Sequence, residues 1–197
     1  MFAGVSNEAI IAIGGANFPG ASPWEGGKKK WYDDIFVLEK GKKGWVRSAH
    51  NFPGTCGYGV SITYKNQLIV IGGSNANEHL TQVMGVVWNG TDVVLTNYPS
   101  LPYPLAQMGG LLIEDMIVLV GGSQSATSVS IRTCLILDLK NLKAGWQQND
   151  TFRALPEFSR FVVFTMEMVT CLVGKHRGSM PKAISIGIFC WMPTTFS

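Results

Sequence analysis

The stretch GYGVSITYKNQLIVIGG, residues 57–73, sets the fold. An apolar run meets a short turn (KNQ), a second apolar run follows, and a double glycine ends it. That order reads as a β-hairpin whose second strand stops at a sharp bend. The same ending occurs in AIIAIGG (residues 9–15) and MIVLVGG (residues 116–122), with a weaker copy in MVTCLVGK (residues 168–175). Gly14, Gly72, Gly121 and Gly174 therefore recur at intervals of about 50 residues.

Such a period is that of a propeller blade, and kelch repeats lie near it. After each hairpin comes a third apolar run, DDIFVLE or IRTCLILDL, and then a fourth segment, GWVRSA or GWQQND. The unit is four strands. Inner strands are expected near residues 57–64 and 108–113, each paired with the strand ending at the next double glycine. Glycine suits that bend because it accepts positive φ and has no Cβ to strike the crowded axis. Trp45 and Trp146 recur in the fourth segment, whereas Trp88 lies on a third strand beside the Asn89-Gly90 turn. All three are read as packing between blades.

Composition agrees with many short strands. The chain has 197 residues, 46% hydrophobic and 15% charged, with 23 glycines. That excludes a disordered chain. A net charge of +3 is too mild to point to nucleic acid, and Lys28-Lys29-Lys30 reads as a solvated loop. No uncharged apolar run approaches the roughly 20 residues of a membrane helix. No signal-peptide pattern opens the sequence. The four cysteines, Cys56, Cys134, Cys171 and Cys190, form no CxxC pair, and Cys134 reads as core. His50, His79 and His176 fall in different expected blades, so neither metal nor cofactor is expected. The fold class is all-β: an incomplete kelch-type propeller of about three and a half blades. Residues 1–158 hold the regular blades. Residues 159–197 read as a degenerate fourth, truncated or frameshifted beyond about Phe158.

Strand direction places the candidate site. The loop after the second strand and the loop before the first open on one face of the disc. That face collects Asn17, Trp24, Glu25 and Lys28 from the long loop, with Asn75, Ser123, Tyr58 and Arg160. Lys28 or Arg160 could meet a carboxylate, Asn17 and Asn75 could meet hydroxyls, and Tyr58 or Trp24 could offer a ring. Glu25 is the one carboxylate in the long loop. It is either an acid–base group or a partner of Lys28 or Lys29.

The run GGANFPG…WEGGKKKWYDDI joined to GYGVSI resembles the closing part of bacterial N-acetylneuraminate epimerases, the sialic acid mutarotases. MGGLLIEDMIVLVGGSQSATS…GWQQND resembles that family's opening blade, so the order is similar to a cyclically permuted branch. The resemblance spans roughly residues 1–160. It implies a six-bladed kelch propeller, a small sugar acid as partner, N-acetylneuraminate anomer interconversion and a periplasmic location. A catalytic glutamate shortly before an arginine, in a GE…PGLR setting, is expected of the family and is not found here. A non-enzymatic kelch scaffold that binds protein or glycan through the same loops is the other reading. Open blade edges would further invite self-association.

Overall fold

The computed structural model describes residues 1–131, 134–149, 158–166 and 169–176, with residue 149 and the last two stretches as backbone only. Three antiparallel sheets of four strands follow one another along the chain. Blade 1 is β1 (Phe2–Ser6), β2 (Ala9–Asn17), β3 (Lys30–Glu39) and β4 (Val46–Arg47). Blade 2 is β5 (Val60–Tyr64), β6 (Gln67–Ile71), β7 (Val83–Trp88) and β8 (Val93–Asn97). Blade 3 is β9 (Gly109–Ile113), β10 (Met116–Val120), β11 (Cys134–Asp138) and β12 (Gln147–Asn149). A two-stranded sheet of β13 (Phe158–Met166) and β14 (Val169–His176) follows. Among the described residues helix is limited to two 3-10 turns, Pro23–Glu25 and Leu142–Ala144. The architecture is an incomplete propeller, and β5 and β9 are the inner strands expected from the sequence.

The inner hairpins follow from turn chemistry. Asn7-Glu8 and Lys65-Asn66 take positive φ at both residues, the form whose twist matches the flanking strands. Alternation then sorts the apolar side chains onto two faces per blade. Phe2, Ile11, Ile13, Ile35 and Val37 of blade 1 meet Leu68, Val70, Val86 and Trp88 of blade 2. Ile69, Ile71 and Val83, from the opposite face of blade 2, meet Ile117, Leu119, Leu135 and Leu137 of blade 3. Trp88 is thus blade-to-blade packing. Trp146, just before β12, also reaches the preceding blade, where its Nε1–H donates to the Pro99 carbonyl at 2.8 Å. Trp45, just before β4, differs: half of it is exposed.

The double glycines are joints between blades. The first of each pair is left-handed, with φ of 59° at Gly14, 53° at Gly72 and 68° at Gly121. A Cβ on Gly72 would stand 2.5 Å from the Leu105 carbonyl oxygen, and one on Gly14 2.5 Å from that of Cys56. One expectation needs correction here. The double glycine closes the second strand in blades 2 and 3 but not in blade 1. There β2 shifts register between Ile13 and Gly15 and then runs on, pairing Gly15 with Tyr32, Ala16 with Trp31 and Asn17 with Lys30. The cause is the longer third strand, which offers backbone partners beyond the bulge.

Candidate ligand site at the blade mouth

A backbone ladder crosses the blades at the double-glycine end. Gly15 N–H donates to the Cys56 carbonyl at 2.7 Å, and Gly73 N–H to that of Leu105 at 2.8 Å. Gly57 pairs with Ser74, and Ala106 with Ser123. Gln107 N–H donates to the Tyr58 carbonyl at 2.7 Å. Tyr58 and Gln107 occupy equivalent places before their inner strands, and both are left-handed, with φ of 59° and 58°. Each costs roughly 1–2 kcal/mol of backbone strain, held by the ladder. This strained end, termed the mouth, carries the side chains of interest.

One cluster stands out there. The rings of Trp31 and Tyr58 meet edge to face, with centroids 5.5 Å apart. The Lys29 ammonium lies 4.6 Å from the Trp31 centroid and 4.3 Å from that of Tyr58. The extension of β2 beyond the bulge produces this, because it pins Trp31 at the start of β3 beside blade 2. Among the described residues no carboxylate pairs with Lys28, Lys29 or Lys30. The mouth of blade 1 is therefore cationic and aromatic together. Such a surface can take an anion at Lys29 and the apolar face of a sugar ring at Tyr58.

The residues singled out from sequence fall in different settings. Tyr58 is in the cluster, half exposed. Asn17 accepts the Tyr32 hydroxyl at 2.9 Å. Lys28 is exposed in the same loop. Trp24 lies on the 3-10 turn, almost fully exposed. Asn75 caps its own turn, its Oδ1 accepting from the N–H of Asn77 at 2.8 Å and of Glu78 at 2.9 Å. Ser123 is buried between blades 2 and 3, with its hydroxyl 3.2 Å from His79 Nε2. The side chain of Arg160 lies outside the described residues.

Glu25 is exposed, and its carboxylate accepts from the hydroxyl and the N–H of Ser22. Those hydrogen bonds hold its pKa below the usual carboxylate value. It makes neither of the lysine pairs considered for it.

Lys29, Trp31 and His79 are not among the ligand contacts that strand direction suggests. Lys29 and Trp31 had a weak signal in the adjoining KKKWY, but their meeting with Tyr58 crosses two blades. Cys56 lies beneath the mouth, where burial pushes its thiol up to about 12 and so favours the protonated form. Among the described residues no group of three or more His, Cys, Asp or Glu could hold a metal ion.

Comparison with known proteins fits this geometry. The sequence model of the N-acetylneuraminate epimerase family matches residues 1–95. The N-acetylneuraminate epimerase of Haemophilus influenzae (strain PittEE) is 32% identical over 102 residues, covering 47% of this chain and 26% of that protein. That of Salmonella arizonae is 37% identical over 84 residues, covering 38% and 21%. That of Yersinia pestis (strain Pestoides F) is 34% identical over 101 residues, covering 45% and 24%. The solved structure of YjhT superposes with a TM-score of 0.60 at 11% identity, over 78% of this chain and 52% of that one. The chain thus matches about a quarter of the length of its curated relatives and about half of the YjhT fold. The likeness drawn for residues 108–160 lies outside the family match. Residues 1–95, which carry blade 1, the Lys29–Trp31–Tyr58 cluster and most of blade 2, are thus the part of the chain that is similar to the N-acetylneuraminate epimerase family.

Proposed function

We propose that this chain binds N-acetylneuraminate at the blade mouth and supplies the binding half of a sialic acid mutarotase. The observation that carries this reading is Lys29, set between two aromatic rings with no carboxylate partner among the described residues. N-acetylneuraminate is an anionic sugar. Its carboxylate suits Lys29, its ring Tyr58 or Trp24, and its hydroxyls Asn17, Asn75 and Ser123, with Lys28 or Arg160 as a further cation.

Mutarotation needs one group to take the anomeric proton and another to protonate the ring oxygen. Glu25 is the acid–base candidate from the long loop. Its engagement with Ser22 favours the second reading, a mouth that binds without catalysing. Nuclear magnetic resonance of anomer exchange on N-acetylneuraminate separates the two. Binding without acceleration is expected of this chain alone, since the family's glutamate–arginine stretch is not in its sequence. Acceleration by a monomeric sample, abolished by Glu25→Gln, would instead make Glu25 the catalyst.

A further inference from the structure

The repeat allows the same position to be compared in three blades. Blade 2 presents Leu68 and Val70 to the blade before it, and both are buried, at 0% and 2% exposure. Blade 3 presents Ile117 and Leu119 to blade 2, at 0% and 1%. Counting back from the double glycines, the equivalents in blade 1 are Ile10 and Ala12. Ile10 is 45% exposed, and Val5, which pairs with it across β1 and β2, is 47% exposed. Phe36, opposite Ala12, and Trp45 are also exposed. The tryptophans carry the same contrast: Trp146 is anchored on the preceding blade through Pro99, and Trp45 has no preceding blade among the described sheets. This face of blade 1 has the side chains of a blade interface and, among the described residues, no opposing sheet.

We infer that a second copy of this chain lays a sheet on the Val5–Ile10–Phe36–Trp45 face of blade 1. Two observations favour a copy of the same chain. Within the molecule, this kind of face is covered by another blade of the same repeat, as the two core clusters show. The aligned part of one copy also matches 52% of the YjhT chain, so two copies hold a full ring's worth of blades. Burying such a face removes apolar surface from water, and the charges beside Phe36, Arg47 and Asp34, are already paired with each other within blade 1.

Sedimentation equilibrium of the 197-residue chain at micromolar concentration tests this. The expected species is a dimer, twice 21.4 kDa. Ile10→Asp should weaken it by about a hundredfold or more, because a carboxylate would be buried unpaired. Val94→Asp, at an exposed site on the outer strand of blade 2, should leave it unchanged. Circular dichroism checks that the variants keep their sheet, and Val5→Lys decides if Ile10→Asp does not. A monomeric wild type overturns the inference, with the face either open or covered from within the chain. So does a dimer that folded Ile10→Asp and Val5→Lys leave intact.

Discussion

The two ends of the blades treat their cations differently. At the base, where the hairpins turn, lysines are matched by carboxylates. Lys40 pairs with Glu8, and Asp115 takes Lys140 at 2.5 Å, Lys65 at 3.6 Å and the Tyr64 hydroxyl. At the mouth, Lys28, Lys29 and Lys30 have no carboxylate partner among the described residues. Lys29 and Lys30 lie instead against aromatic rings. The backbone divides the work in the opposite sense. The mouth is where blades are joined by main-chain hydrogen bonds such as Gly15 to Cys56 and Gln107 to Tyr58. The base therefore spends its charges on local pairing, while the mouth is joined through backbone and leaves its lysines without a carboxylate among the described residues.

The largest expected effect tests the stitching. Gly72→Ala puts a Cβ against the Leu105 carbonyl oxygen at a left-handed φ. It should cost about 2 to 5 kcal/mol, strain and overpacking together, read by denaturant unfolding. Gly121→Ala shares the φ, but its Cβ would find its nearest described neighbour at 3.7 Å, the Ile131 carbonyl oxygen. It should cost about 1 to 2 kcal/mol. Equal losses in the two variants would show that blade-to-blade contact at the joint is not what demands glycine.

A smaller effect concerns Trp146. Trp146→Phe removes the hydrogen bond to Pro99 and should cost about 1 kcal/mol in the same assay. The smallest belongs to the base. Its hydrogen bonds to Lys140 and Tyr64 hold Asp115 down to about 2, against 3.8 for a free aspartate. A depressed carboxylate stabilises the fold above its unfolded pKa and loses that contribution as pH falls through its folded value. The contribution of Asp115 is thus full above about pH 4 and fades toward pH 2. Asp115→Asn should flatten that part of the stability–pH curve and change little else. An unchanged curve would mean that the base pairs are idle.

The blades could be read from sequence because each rests on local signals. Double glycines, two-residue turns and alternating apolar strands repeat within a few tens of residues, and β5, β6, β9 and β10 follow from them. The continuation of β2 past Gly15 could not be read that way, since it depends on how far β3 extends to meet it. For the same reason Trp31 was not placed beside Tyr58. The engagement of Glu25 with Ser22 is legible, because Ser22-Pro23-Trp24-Glu25 has the S-x-x-E spacing of a capping box. The contact between His79 and Ser123 joins two blades, and no local pattern announces it.

Saturation-transfer resonance with N-acetylneuraminate addresses the central contrast most directly, using the wild-type chain, Lys29→Ala at the mouth and Lys65→Ala at the base. Transfer to the sugar is expected in the wild type. Lys29→Ala should weaken binding about tenfold or more, as loss of a charge-assisted contact does, while Lys65→Ala binds as the wild type does. Equal binding by all three, or no binding by the wild type, would contradict a mouth whose free cation is kept for an anionic sugar.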